Sequence, residues 1–378
     1  MASAPPTISR SNNNTRPTPH SPPLPPPHGP LTLDLLIHVL SRTLFHPFLA
    51  ALLPLCLRAL AAPYNSTSFI LTSAFAACVC SYSVLQGVSA RIAYGAPREV
   101  DWEGEVVVVT GGVGGLGGCL AEIFALRGVG VAVLDVGVSG AKGGGLVDGG
   151  EREGVRYYYC DVGDYEQVER TWGRVVRDVG TPTVLVNNAA VVSGKGVMEQ
   201  SREELERTFR VNTLSHYHLN KLFLRPMLET SSRGGTIVTV SSVLGYQGVA
   251  HLSAYTASKA ALLAYHASLA TELALIAPRV KTILVATGQL DTQMFGNVKL
   301  RGWLRNFFAP VVAAGEVAVK IVGLIDRGEG GVVSEPAYAR WIAWLGVLPV
   351  GLQRLVKRWA GTDDAFAGNV SKNSKDAR

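Results

Sequence analysis

The run 105–110, EVVVVT, hands over directly to a glycine-rich turn at 111–117, and no other feature restricts the fold so tightly. Four valines in succession leave no polar face, so a strand there must be covered on both sides, the condition met in parallel sheets. The pattern predicts a helix over 115–127 and a second strand over 129–135. Strand, turn, helix and strand in that order are the repeating unit of a doubly wound sheet. Short β-branched runs at 156–162, 183–187, 235–241, 280–286 and 331–334, with helical stretches between them, continue the pattern. The expected architecture is α/β: a doubly wound parallel sheet of the Rossmann type, read as a three-layer sandwich, with an N-terminal membrane segment ahead of it. Only 137–154 breaks the alternation, since eight glycines in eighteen residues predict a flexible connection where a helix would stand.

Shifts in composition divide the chain into four regions. Residues 1–30 carry ten prolines and few large apolar side chains, too little apolar surface to offset the entropy of ordering, and predict a disordered tail. Residues 31–98 read as a membrane-anchoring region. Within it, 31–62 is interrupted by Asp34, His38, Arg42, Pro47, Pro54 and Arg58, which suits an interfacial or re-entrant segment. By contrast 69–88 has no charge over twenty residues. As a helix it would rise about 30 Å, enough to cross the hydrocarbon layer. Basic residues on both sides of it leave its orientation open. Residues 99–336 are the α/β domain, and 337–378 an aromatic and basic segment ending in a polar tail. Four of the six tryptophans lie between 303 and 359, among Arg340, Arg354, Lys357 and Arg358, a mixture that suits either a headgroup boundary or a helical hairpin closing a pocket. The net charge of +6 comes without a dense Lys/Arg run or zinc-type spacing, which argues against a nucleic-acid partner and against a metal site. The five cysteines form no disulfide framework and read as reduced thiols.

Two stretches carry chemistry. Glycines between a strand and a helix let the backbone approach a pyrophosphate, and the helix N-terminus presents free N–H groups with a partial positive charge. Asp135 ends the next strand, twenty-four residues after Gly111, where a carboxylate can accept both ribose hydroxyls. It would repel a 2′-phosphate, and no Lys or Arg stands at 113, 114 or 136 to offset it, so NAD is favoured, with NADP the alternative. The second stretch, 241–259, reads SSVLGYQGVAHLSAYTASK and sets Ser242 thirteen residues before Tyr255, and Tyr255 four before Lys259. On a helix that spacing brings the phenol and the ammonium to one face. A cation beside a phenol lowers its pKa towards working pH, and Ser242 supplies a hydroxyl to hold a substrate oxygen.

With these elements in register, residues 103–336 resemble the short-chain dehydrogenase/reductase family. The matches are Thr110-Gly111-x-x-x-Gly115-Leu116-Gly117, Asp161-Val162, Asn187-Asn188-Ala189-Ala190, Asn212, Ser242 and Tyr255-x-x-x-Lys259, in the family's order. The resemblance implies a nicotinamide dinucleotide cofactor and a role for each residue. Gly111, Gly115, Leu116 and Gly117 would cradle it, Asp161 and Val162 would flank the adenine, and Asn188 with Ala189 would floor the site. Gly288 and Thr292 belong to the loop over the nicotinamide. Asn212 would bind a water that passes protons to Lys259, Lys259 would hold the ribose and shift the pKa of Tyr255, and Tyr255 would be the acid/base group with Ser242 as oxygen anchor. Two positions depart from the pattern: Ala190 stands where Gly is usual, and Thr287 replaces the usual Pro, which bears on the loop over the nicotinamide. The apolar leader and extended C-terminal segment resemble the membrane-associated subgroup of retinol and 17β-hydroxysteroid dehydrogenases.

Three functional readings follow. The first is an anchored NAD-dependent oxidoreductase of a lipophilic alcohol or its carbonyl partner (retinoid, steroid or long-chain lipid), at the endoplasmic reticulum or on lipid droplets with its catalytic domain on the cytosolic side. The second is an NADP-dependent reductase of lipid synthesis, acting on a ketosphingoid base or acyl-dihydroxyacetone phosphate. The third is a non-catalytic dinucleotide-binding scaffold. The resemblance also implies a homodimer or a tetramer through the helices bearing Asn212 and Tyr255. Substrate choice would rest with a lid at 290–308, while His216 and His218 read as packing residues and His251 as a loop residue with no assigned role.

Overall fold

The computed structural model describes residues 31–138, 146–229, 234–295 and 303–361. The expectations for 1–30, for the centre of the glycine-rich 137–154 and for the last residues of the chain lie outside them.

One sheet of eight strands has the order β3-β4-β2-β1-β5-β6-β7-β8. The strands are β1 Val106–Thr110, β2 Gly130–Asp135, β3 Glu151–Arg152, β4 Val155–Tyr159, β5 Val184–Asn187, β6 Gly235–Val240, β7 Val280–Val285 and β8 Gly331–Val333. Every pairing is parallel except β3 with β4, a two-residue antiparallel edge in the region expected to be a flexible connection. The chain runs outward from β1 through β2 to β4, then returns to the other side of β1 as β5. That reversal makes the C-terminal ends of β1 and β5 the topological switch point, where open α/β sheets leave a crevice.

The helices, in chain order, are α1 Leu33–Arg42, α2 Pro47–Ala59, α3 Thr67–Tyr94, α4 Gly115–Ala125, α5 Tyr165–Asp178, α6 Arg202–Phe209, α7 Ser215–Glu229, α8 Ser253–Ile276, α9 Trp303–Phe308, α10 Ala314–Asp326 and α11 Val350–Ala360. Alternate strand residues point to opposite faces, and the packing follows that rule. Val107, Val109, Val131 and Val133 meet Leu120 and Phe124 of α4 and Val317, Ile321 and Ile325 of α10. Val108, Ala132, Leu134, Leu185 and Ile237 meet Val168 and Trp172 of α5, Leu219 and Phe223 of α7, and Leu269 and Leu273 of α8. Three layers result.

Ahead of the sheet, α1 and α2 meet at a bend of 53°, and α2 packs along α3 through Ala50, Ala76 and Val79. Helix α3 has 28 residues and is long and apolar enough to cross a membrane, and only 11% of its most apolar stretch is buried within the protein. The bend of α1 against α2 fits the interrupted character of 31–62. Arg98 fastens the end of this region to the base of the sheet: its guanidinium lies 2.7 Å and 3.0 Å from the two Glu105 carboxylate oxygens and donates from Nε to Thr236 at 2.9 Å.

Candidate active site

The turn after β1 is shaped by contacts that exclude side chains. Gly111 has φ of +65°, and a Cβ there would lie 2.8 Å from Ala189 Cα. A Cβ on Gly117 would collide with the Gly111 carbonyl oxygen and come within 2.6 Å of Asn188 Nδ2. Asn188 braces the turn from β5: its Nδ2 donates to the carbonyls of Thr110 at 3.0 Å and Gly111 at 2.9 Å. The Thr110 hydroxyl in turn accepts from the Asn188 and Ala189 amides at 3.0 Å and 3.1 Å. Thr292 arrives from the far side, its Cγ2 3.2 Å from where a Gly115 Cβ would stand.

At the end of β2 the Asp135 carboxylate accepts from the Val113 amide at 3.0 Å and the Gly137 amide at 2.7 Å. Both oxygens are oriented and keep further acceptor capacity. Asp161 similarly accepts from the Gly163 amide at 2.9 Å. These groups open on one cavity of about 680 Å³, which continues past Asn188, Ala189 and Ala190 to Ser242, Tyr255, Lys259, Gly288 and Thr292. Leu116 and Val162 also line it. Gly117 does not, because it lies beneath the turn against Gly111, and neither does Asn212.

Tyr255 and Lys259 are 5% and 1% exposed and share one face of α8, with the Lys259 Nζ 5.8 Å from the Tyr255 ring centre. The ammonium donates to the Val240 carbonyl at 2.8 Å. The expectation that Lys259 acidifies the phenol meets an opposing effect here. Burial pushes the Tyr255 phenol up to about 12, and a hydrogen bond with Ser242 works in the opposite direction. Burial also brings Lys259 down to about 8. Ser242, two residues past the end of β6, donates to the Thr287 carbonyl at 3.4 Å, while the Val243 amide donates to the same oxygen at 3.0 Å. Thr287, standing where proline is usual, therefore keeps a buried carbonyl doubly occupied beside the site.

Asn212 lies in a π-helical turn, Arg210–Leu214, and is fully buried. Its side chain is spent on structure: Oδ1 accepts from the Val191 amide at 2.8 Å, and Nδ2 donates to the Val191 carbonyl and the Ser258 hydroxyl, both at 3.0 Å. π turns displace backbone carbonyls from the regular ladder. Around Tyr255, Val249 and Leu252 form an apolar wall with Val192, Leu244 and Phe295, the Phe295 ring standing edge-on at 5.7 Å. Arg207, Val211 and Asp291 also line the cavity. Sequence reasoning did not single them out, though Asp291 falls within the expected lid beside Thr292 and Val211 is adjacent to Asn212, whereas Arg207 carried no such signal.

Behind Lys259, His216 and His266 are 1% and 6% exposed and each leaves Nδ1 unpaired. Burial, helped by the Lys259 charge, drives His216 down to about 3, and burial takes His266 to about 4. Both are neutral when folded, whereas unfolded imidazoles protonate below about 6.5. The unfolded state then binds more protons, so their contribution to stability is complete above 6.5 and is lost progressively as pH falls towards the folded values. Thermal midpoints should decline from pH 7 to pH 4.5, and a His216→Gln/His266→Gln variant should show a shallower decline by scanning calorimetry. His218 instead lies against Tyr165, ring centres 4.5 Å apart.

The short chain dehydrogenase family model matches residues 105–301. The chain is 31% identical over 280 residues to the uncharacterized oxidoreductase TDA5 of Saccharomyces cerevisiae, covering 73% of this chain and 81% of that one. It is 36% identical over 241 residues to human (Homo sapiens) retinol dehydrogenase 10, covering 57% and 70%. Among solved structures, 4-hydroxyisoleucine dehydrogenase complexed with NADH superposes with a TM-score of 0.51 at 18% identity, over 61% of this chain and 96% of that chain. Ligand-free aldohexose dehydrogenase of Thermoplasma acidophilum gives 0.50 at 24% identity, over 61% and 92%. Both share the fold. The matched segment begins at Glu105, on the threshold of the glycine turn, and extends past the loop bearing Gly288 and Thr292, so this chain belongs to the short-chain dehydrogenase family of oxidoreductases.

Proposed function

We propose that the protein is a membrane-associated oxidoreductase that moves a hydride between NAD and a lipophilic alcohol or its carbonyl partner. The observation that carries this reading is one cavity shared by the glycine turn, the Asp135 carboxylate and the Ser242, Tyr255 and Lys259 side chains. The cradle fits a dinucleotide, because Gly111 and Gly117 have backbone where any Cβ would intrude. When bound, the nicotinamide supplies the hydride donor or acceptor.

The chain's own residues do the rest. Asp135, aimed by two amides, accepts the adenosine ribose hydroxyls, and Asp161 with Val162 flanks the adenine. Asn188 and Ala189 form the floor, and Gly288 with Thr292 closes over the opposite side. Ser242 donates to the substrate oxygen while Tyr255 exchanges a proton with it. Lys259, when protonated, favours the phenolate and offsets the burial that otherwise holds the phenol at about 12. Asn212 fixes the loop after β5, at Val191, relative to Ser258 of α8, keeping the Lys259 side of the site in register.

Support for the membrane and for a lipophilic substrate comes from α3, from the apolar wall at Val249, Leu252 and Phe295, and from exposed Trp341, Trp344 and Trp359 beside Arg354 and Arg358. The endoplasmic reticulum or a lipid-droplet surface, with the catalytic domain cytosolic, suits that arrangement, and so does the retinoid, steroid or long-chain lipid class. The test is turnover by the purified full chain on retinol, steroid and fatty alcohols, with fractionation after alkaline carbonate. Activity confined to small hydrophilic alcohols, or release into the carbonate supernatant, would refute it. Asp135→Ser should narrow the preference for NAD over NADP by roughly tenfold, since removing a charge that repels a 2′-phosphate is worth about 1.4 kcal/mol or more; titration of both cofactors reads it.

A further inference from the structure

We propose that Asp34, on the first helix of the membrane-proximal region, is a positioning residue that ties that region to the loop carrying Thr287 and Gly288. An acidic residue in a first turn ordinarily serves its own helix N-terminus. In α1 that end is already capped by Thr32, whose hydroxyl accepts from the Leu35 amide at 3.2 Å. Asp34 Oδ1 instead accepts from the Ala337 amide at 2.6 Å, across 303 residues of sequence. Ala337 opens the short turn Ala337–Arg340, whose preceding residue, Pro336, has no side-chain donor or acceptor to cap it. Asp34 supplies the cap from another part of the chain.

The capped turn lies against the active-site loop. Gly288 donates to the Glu335 carbonyl at 2.7 Å, and a Cβ on Gly288 would stand 2.5 Å from the Tyr338 hydroxyl oxygen and 2.9 Å from Pro336 Cδ. One residue earlier, the Thr287 carbonyl takes both the Ser242 hydroxyl and the Val243 amide. A continuous set of contacts thus runs from α1 through 335–338 to the Ser242 hydroxyl. The arrangement is costly where it begins, since Asp34 Oδ2 is buried with no partner. Glu335 close by is balanced by Lys320 at 2.7 Å and Arg340 at 3.4 Å, so those cations are engaged elsewhere.

The kinetic part of this inference rests on the hydride-transfer reading above, but its structural part does not. Full-length Asp34→Leu and Asp34→Asn, and Ala337→Pro, which deletes the amide donor from the other side, are compared in detergent by hydrogen exchange. In Asp34→Leu and Ala337→Pro, amides of 286–290 and 335–340 should exchange roughly tenfold faster or more, the scale set by losing one charge-assisted hydrogen bond. The glycine turn at 106–117 should exchange as before. Asp34→Asn keeps the acceptor and should resemble the parent. In turnover, kcat should fall by a similar factor, and NADH affinity, read by fluorescence, should fall by a smaller one, since only the Gly288 side of the cofactor site is loosened. Unchanged exchange at 286–290 in both disrupting variants overturns the proposal. So does acceleration shared equally by 106–117, since that marks general destabilisation. If the parent turns over no alcohol, the function reading fails, and the exchange comparison still decides the tie.

Discussion

Tyr255→Phe is expected to lower turnover by about 10²- to 10⁴-fold, the usual contribution of a positioned acid/base group. The ring stays in place against Phe295 and beside Lys259, so packing changes little. Dinucleotide binding, measured by NADH fluorescence, should persist because the glycine turn and Asp135 are untouched. The separation of the two readouts is the informative part: retained binding with lost turnover assigns the phenol to proton exchange, and retained turnover removes it from the mechanism. A pH–rate profile adds a check. With burial pulling Lys259 to about 8 and raising Tyr255 to about 12, oxidation of an alcohol by the parent enzyme should rise with pH while Lys259 stays charged and level off above about 8, where the cation that favours the phenolate is lost.

Gly117→Ala is expected to destabilise the fold and disable the turn for the dinucleotide. The added carbon would meet the Gly111 carbonyl and Asn188 Nδ2, backbone and a braced amide that cannot yield. Overpacking of this kind costs about 1–3 kcal/mol. Relief requires the turn to shift, which should also abolish tight NADH binding. The neighbouring Gly118→Ala is the matched control, as its nearest atom would be the Gly112 carbonyl oxygen at an ordinary 3.6 Å. Inside a helix that change should stabilise by about 0.5–1 kcal/mol. Two adjacent methyls should therefore shift the melting temperature in opposite directions, and equal effects would contradict the described turn.

Much of the architecture was legible because it is written locally. The valines of β1, the glycines after it and the β-branched runs at β5, β6 and β7 each declare their state within a few residues, and the strands other than the unforeseen β3 lie within three residues of the expected bounds. The spacing from Tyr255 to Lys259 likewise becomes a shared helix face without help from distant chain. What sequence could not supply are relations between distant residues. The amide of Asn188 bracing Thr110 and Gly111, the Asp34 carboxylate on Ala337, and the side chain of Asn212 consumed by Val191 and Ser258 depend on how separated segments meet. The balance of effects on Tyr255 was hidden for the same reason, since burial is a property of the assembled core.

Arg98 has a practical consequence for anyone wishing to separate the domain from its apolar leader. Its guanidinium and the Glu105 carboxylate are 0% and 3% exposed, so each neutralises the other out of reach of water. A protease cut or recombinant start placed just after that arginine would strand the glutamate at the foot of β1, a loss of about 3–5 kcal/mol when one half of such a pair is removed. Beginning a few residues upstream retains the partner, and with it the seam by which the leader is riveted to the sheet.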